Sequence, residues 1–326
     1  MSISLLADIG GTNTRFVLAK NNNDVLFDSY EAFSNTSAES PELLIKLYMK
    51  RQGIDSCDHV VLALAAPVNK GEVILTNHNW RFTVKSISAA SLSNNVLFIN
   101  DLEALGYGLS ELGAEQLQYL AGPCSLDKKG PRIVIGAGTG FNAAIVTQLE
   151  NGEHFVKAME VGHMTLTVET QDEFDLWQYL AKGRGRASVE RAISGRGIEQ
   201  IYQWFCQKNL TPAVHINARD ISMAALNQSD LMAEKTMQTI ANIFARTIGD
   251  LVLAFLPTGG IFLSGSVTRA MMPWLRRTSF FDTFVAKGRQ YDLMHQFPIY
   301  ILNDDQAALH GCKIAAKQHS LRLHGL

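Results

Sequence analysis

The chain has 326 residues, 47% hydrophobic and 18% charged, with 29 Lys+Arg against 31 Asp+Glu. A formal charge of −2 without a long basic block argues against a protein that coats nucleic acid, and the apolar content excludes disordered or collagen-like chains. At roughly 150 residues per domain the length implies two domains, and no apolar run approaches the roughly 20 residues a membrane-spanning helix needs.

The first residues, Met1–Asp8, lack a basic segment, and their apolar run stops at Asp8, too early for a signal peptide. Cys57, Cys124, Cys206 and Cys312 are scattered, with no C-x-x-C pair, as expected of reduced thiols in a cytoplasmic protein. Ser2–Ile9 reads as a strand, followed by Gly10-Gly11-Thr12-Asn13 and a second strand, Thr14–Ala19. A turn at Asn21–Asp24 leads to Val25–Phe33, so the chain opens as a three-strand meander. A helix is expected over Pro41–Gln52, a strand over His59–Ala65, a short hairpin around Gly71, a strand over Val96–Asn100 and a helix over Leu102–Leu112.

The second half repeats the plan. Arg132–Ile135 is read as a strand, Gly136-Ala137-Gly138-Thr139-Gly140 as a glycine-rich turn, Phe141–Leu149 as the returning strand and Phe155–Glu160 as the third. A long helix over Asp230–Phe255 carries Ile240, Ile243, Phe244, Thr247 and Leu251 on one side, a pattern suited to core or dimer packing. A strand at Ile261–Ser264, a helix from about Thr268, a strand at Ile299–Leu302 and a last helix from Asp305 complete the chain. Such a repeat implies an α/β protein of two duplicated lobes, with mixed sheets flanked by helices and a ligand cleft between them. The expected division is 1–111 plus a C-terminal helix at about 305–320 as a small lobe, and 112–304 as a large one, with a soft boundary near Leu112–Leu126.

The two glycine-rich turns carry the chemistry. A P-loop is excluded because the dipeptide Gly-Lys is absent. Gly138-Thr139-Gly140-Phe141-Asn142-Ala143 fits a dinucleotide fingerprint, with Glu160 about twenty residues on, but that fingerprint needs a following helix, and Phe141–Leu149 reads as strand. What remains is a pair of hairpin turns whose bare backbone N–H groups suit phosphate oxygens, with Asp8 placed to hold Mg2+ through water. Ordinary tight turns are the competing reading. For either turn alone that reading is stronger; the matched pair brings the two level.

Several segments fall together in one family's order. Ala7-Asp8-Ile9-Gly10-Gly11-Thr12-Asn13-Thr14-Arg15 resembles the first phosphate loop of the actin-like ATPase and sugar-kinase superfamily. Gly136–Gly140 resembles its second loop, and Gly259–Ser266 its adenosine segment. Thr76-Asn77-His78-Asn79-Trp80, Ile99-Asn100-Asp101, Glu160-Val161-Gly162-His163 and Val189–Gly195 are similar to motifs of the bacterial ATP-dependent glucokinases, so the resemblance covers about residues 5–315. Three departures stand out: Phe141-Asn142 where the family usually has Leu-Gly, Val161 in place of the first Gly of Glu-Gly-Gly-His, and Ser266 in place of a second Gly. The zinc-binding sister family carries a cysteine-rich motif after its histidine, whereas here no cysteine follows His163 until Cys206.

The resemblance implies a ribonuclease-H-like lobe used twice and an ATP-dependent phosphorylation of glucose at its 6-hydroxyl. Asp101 is the implied general base, and Asn100, Asp101, Glu160, His163 and Glu190 the sugar ligands. The implied Mg-ATP contacts are Asp8, Gly10, Gly11, Thr12, Thr139, Gly140 and Gly265. On sequence pattern alone Asp101 is a helix N-cap, Glu190 a solvated face beside Arg191, and His163 a hydrogen-bonded structural histidine. The expected partners are glucose and ATP, with a second copy of the chain in a homodimer, and neither nucleic acid nor membrane. A kinase for a related hexose, or a sugar sensor without activity, are the alternatives.

Overall fold

The computed structural model describes residues 2–21, 23–68, 71–75, 80–125, 127, 129–215, 217–304 and 306–323. The chain divides into two units, one of Met1–Glu115, Leu149–Lys157 and Asp304–Leu326, the other of Gln116–Gln148 and Ala158–Asn303.

In the first unit, β1 (Ile3–Ile9), β2 (Asn13–Lys20) and β3 (Asp24–Ser34) form the expected meander. They are followed by α1 (Pro41–Gln52), β4 (His59–Leu64), β5 (Glu72–Ile74), β6 (Arg81–Thr83), α2 (Val84–Ser91), β7 (Asn95–Asn100) and α3 (Asp101–Gly108). The main sheet has the order β3-β2-β1-β4-β7, with β1, β4 and β7 parallel and the meander antiparallel. Successive residues of a strand point to opposite faces, and β1 shows it: Leu5, Ala7 and Ile9 join the hydrophobic cluster that also holds Leu44, Ile45, Tyr48 and Ile87, from α1 and α2. Leu6 joins the opposite cluster, with Ala104 of α3 and with Leu309, Cys312 and Ala316 near the C-terminus. Covering both faces is what turns β1 and β4 into continuous apolar runs.

The second unit repeats the arrangement. Its strands are β8 (Leu117–Ala121), β9 (Arg132–Ala137), β10 (Phe141–Gln148), β12 (Ile261–Ser264) and β13 (Ile299–Leu302), and with β11 (His154–Met159), whose first four residues count with the first unit, the sheet has the order β11-β10-β9-β12-β13-β8. Strands β9, β12 and β13 are parallel, while β10 runs antiparallel to β9 and β8 antiparallel to β13. The helices are α4 (Gln171–Ala181), α5 (Val189–Ala192), α6 (Gly195–Lys208), α7 (Ala218–Leu226), α8 (Leu231–Phe255), α9 (Ser266–Leu275), α10 (Thr278–Val285) and α11 (Tyr291–Met294). On α8, Ile240, Ile243, Phe244, Thr247 and Leu251 are all buried, and Asp230 caps its first turn by accepting from the N–H groups of Met232 and Ala233. The last helix, α12 (Ala307–Leu323), belongs to the first unit, where Gly311 and Gly108 let it approach α3. A Cβ on Gly311 would lie 1.7 Å from the Ala104 carbonyl oxygen.

Several boundaries differ from the sequence reading. The hairpin expected around Gly71 is instead β5 and β6, which bracket residues 75–80; Gly71 precedes β5 at φ +78°. Of the Thr76–Trp80 motif, only Trp80 lies among the described residues, and it is buried. The helix expected over Leu102–Leu112 starts one residue earlier and ends at Gly108, in a stretch where Gly106 and Gly108 weaken helix continuation. Asp101 is not its N-cap. Asn100 fills that place: its side chain accepts from the Leu102 N–H at 2.9 Å and Glu103 returns a bond to the Asn100 N–H, while Asp101 is the first helical residue. No described helix is long and apolar enough to cross a membrane.

Candidate functional site

The candidate residues fall into two groups, one in each unit. In the first unit they gather at the carboxyl ends of parallel strands, where open α/β sheets bind ligands. Asp8 of β1 is level with Ala63 of β4, which is level with Ile99 of β7. Asp101 therefore follows a strand two places from β1, about 10 Å away at the usual strand spacing. The residue as a whole is half-buried. Burial first, and the negative charge of Asp8 second, push its carboxyl from the ordinary 3.8 up to about 7, against hydrogen bonds from the Leu102 and Asp101 N–H groups and the Asn100 side chain. A carboxyl that exchanges its proton near neutral pH is matched to acid–base work.

Asp8 has a partner that sequence reading missed. Arg15 faces it across the β1–β2 pair, and the guanidinium donates to Asp8 Oδ2 at 2.9 Å. The intervening turn is fastened by a second unforeseen residue, Asn35, which is 1% exposed. Its backbone N–H donates to the Thr12 carbonyl at 2.8 Å and its amide nitrogen to the Gly10 carbonyl at 2.9 Å, while its amide oxygen accepts from the Thr14 hydroxyl at 2.8 Å. No local signal marks Asn35, because its partners lie more than twenty residues back in the chain. Thr12 itself is exposed, and the turn closes with the Gly10 N–H donating to the Asn13 carbonyl at 3.0 Å. A Cβ on Gly10 would meet only that carbonyl oxygen, at an ordinary 3.5 Å. The fold has room for a side chain there, and glycine leaves the turn's backbone bare instead.

Asn100 is engaged by the fold. Besides capping α3 it directs its amide nitrogen at the Ala66 carbonyl, 3.3 Å away, and the Leu64 carbonyl, 3.5 Å away. These bonds fix where Asp101 begins the helix.

In the second unit, Gly138-Thr139-Gly140 joins β9 to β10 in a hairpin closed by the Gly138 N–H donating to the Gly140 carbonyl at 2.8 Å. Thr139 is exposed. Gly265 follows β12, the strand beside β9, and has φ +101°; a Cβ there would lie 2.2 Å from the Ala137 carbonyl oxygen, so only glycine fits. Gly265 is also the N-cap of α9, and a Cβ on Gly138 would lie 3.4 Å from Ser266 Oγ. The glycine turn and the positive end of a ten-residue helix thus stand side by side, the arrangement that suits phosphate oxygens.

Glu190, on the short α5, is half-buried, not a solvated face. Its Oε2 accepts from the Phe141 N–H at 3.0 Å, and a Cβ on Gly140 would strike that oxygen at 2.7 Å. Glu160 and His163 flank a single helical turn, with His163 Nε2 3.8 Å from Glu160 Oε2 and both side chains more than half exposed. Gly162 allows this turn to pass β10, since a Cβ there would lie 1.9 Å from the Phe141 carbonyl oxygen. Two of the family departures have local explanations. Phe141 packs edge-to-face on Phe244, and Val161 joins the core.

Among the described residues no three His, Cys, Asp or Glu side chains come together as a metal cage. Mg2+ ordinarily uses one or two carboxylates, water and substrate phosphates. Asp8, at the end of β1, is a carboxylate of the kind that requirement names.

The two mixed sheets, with glycine turns and carboxylates at their strand ends, have the actin-like ATPase fold. The glucokinase family model matches residues 5–319. A curated glucokinase of Mesorhizobium japonicum is 30% identical over 319 residues, covering 97% of this chain and 92% of that protein. Among solved structures, a glucokinase from an Antarctic psychrotroph has a TM-score of 0.84 at 27% identity, covering 98% of this chain and 99% of the other. One from Balamuthia mandrillaris, in complex with glucose, shares the fold at a TM-score of 0.81 and 23% identity, over 97% of this chain and 94% of that one. The chain belongs to the glucokinase family.

Proposed function

We propose that this protein transfers the γ-phosphoryl group of ATP to the 6-hydroxyl of glucose. The observation that carries the reading is Asp101, a carboxyl at the end of a parallel strand whose proton affinity has been raised to about 7. Ionised, Asp101 accepts the 6-hydroxyl proton as the sugar oxygen bonds to the γ-phosphorus and the bond from phosphorus to the β–γ bridging oxygen breaks, leaving ADP. Asn100 keeps Asp101 in place by capping α3. Glu160, His163 and Glu190 hold the sugar: each hexose hydroxyl both donates and accepts, and polar groups left unmatched by another epimer penalise it.

The backbone N–H groups of Gly11 and Thr12, in the turn that Gly10 closes, of Thr139 and Gly140, and of the α9 start beyond Gly265 take the phosphates. They need no lysine, which accords with the near-zero net charge. Asp8 would hold Mg2+ through water, and the ion when bound supplies charge neutralisation on the phosphates. Arg15 restrains the Asp8 carboxylate, and Asn35 keeps the first turn in shape.

A coupled assay with glucose, ATP and Mg2+ tests the reading, run beside mannose and glucosamine. Glucose should give the highest kcat/KM. Measurable glucose binding without product would replace the enzyme with a sugar sensor, and a higher kcat/KM for another hexose would reassign the substrate.

A further inference from the structure

We propose that Asn142 is a positioning residue that aims the Glu160 carboxylate and thereby sets how tightly the sugar is held. The inference rests on the reading of Glu160 as a sugar ligand.

Asn142 is the second residue of β10, two places beyond Gly140. Its amide oxygen accepts from two backbone N–H groups, those of Ala143 and Val161, each at 3.0 Å. Those donors decide which end of the amide is oxygen, so the amide nitrogen is the end turned toward Glu160, donating to Oε2 at 3.2 Å. The Glu160 side chain is 55% exposed, and its backbone, at φ −110° and ψ 46°, lies outside regular structure. His163 Nε2 is 3.8 Å from the same oxygen, beyond a direct hydrogen bond. The bond from Asn142 is therefore what selects one arrangement of a long, solvated side chain. Ordering a ligand-binding group before the ligand arrives removes that cost from binding. The family resemblance leads one to expect glycine at this position, which has no side chain to make the bond. In this chain the second glycine turn and the sugar carboxylate are joined through one amide.

Asn142 also steadies the turn after β11 through the Val161 N–H, so the test must separate that role from the contact with Glu160. Asn142→Asp does so, because it keeps the oxygen that accepts from Ala143 and Val161 but replaces the donor with a second negative oxygen facing Glu160. Glucose binding to the full chain without nucleotide is measured by titration calorimetry, with kcat, KM and urea unfolding alongside. Losing a hydrogen bond to a charged group should weaken glucose binding about tenfold or more, with kcat and the unfolding midpoint near wild type. In a Glu160→Ala background the same substitution should have no further effect.

An affinity within twofold of wild type in Asn142→Asp, while Glu160→Ala weakens binding, overturns the role of Asn142 and leaves the sugar site standing. The full Asn142→Asp effect persisting without Glu160 also overturns it. Unchanged affinity in Glu160→Ala overturns both readings. If Asn142→Asp unfolds, Asn142→Gly takes its place, and wild-type affinity there refutes the proposal.

Discussion

Replacing Asp101 with Asn should make the protein more stable and nearly inactive at the same time. Asn keeps the size of the side chain and an oxygen for the Leu102 N–H, which Asp101 Oδ1 accepts at 2.9 Å, but cannot ionise. The folded-state pKa of Asp101 is raised above its unfolded value, so the stability it contributes is fully present below about pH 4 and is lost as pH rises through about 7. The rise from 3.8 to about 7, at 1.36 kcal/mol per pH unit, sets a ceiling of about 4 kcal/mol on the penalty the wild type carries at pH 8. Urea unfolding across pH 5 to 8.5 should show the advantage of Asp101→Asn growing up to about pH 7 and levelling above pH 8. Turnover should fall about 100-fold or more, as removal of a general base does. A stability difference independent of pH would show that Asp101 ionises as an ordinary surface carboxylate. Near-normal turnover would remove it from the chemistry.

Three further outcomes follow from the same contacts. At saturating Mg-ATP, kcat/KM for glucose should fall on the acid side below about pH 7, and Asp8→Asn should shift that limb to lower pH by removing the charge that holds the Asp101 proton; an unmoved limb refutes the coupling. Asn35→Ala strips the half-buried Gly10 carbonyl and the buried Thr14 hydroxyl of a partner, which should cost about 2 kcal/mol in urea unfolding and raise KM for ATP more than KM for glucose. Gly265→Ala forces a Cβ into the Ala137 carbonyl at φ +101°, so nucleotide affinity measured by calorimetry should drop with a stability loss of about 2 kcal/mol or more; wild-type affinity for ATP would detach this turn from the nucleotide.

Elements with both ends marked in nearby residues were legible beforehand. Helix α1 runs over Pro41–Gln52 as expected because Ser40 caps it, Pro41 suits its first position and Gly53 ends it at φ +67°. The α2 helix escaped notice since Val84, Ser86 and Ser88 are weak helix formers. Much of its support is remote: Ile87 and Ala90 pack into a core shared with β1 and β4. Strand β8 was missed for a similar reason, as it is defined by pairing with β13, far along the chain.

The sequence by itself determined the repeated mixed-sheet plan, through glycine turns and apolar runs whose signals lie within a few residues. It also supplied the kinds of side chain able to handle phosphate and sugar. Only the tertiary structure decided their states and partners: Asp101 near neutrality beside Asp8, Arg15 against Asp8, Asn35 inside the first turn, and Asn142 on Glu160. Those properties arise from burial, charge and hydrogen bonding among groups that are not neighbours in the chain, 7 residues apart for Asp8 and Arg15 and 25 for Gly10 and Asn35, and proximity of that kind exists only once the sheets have formed.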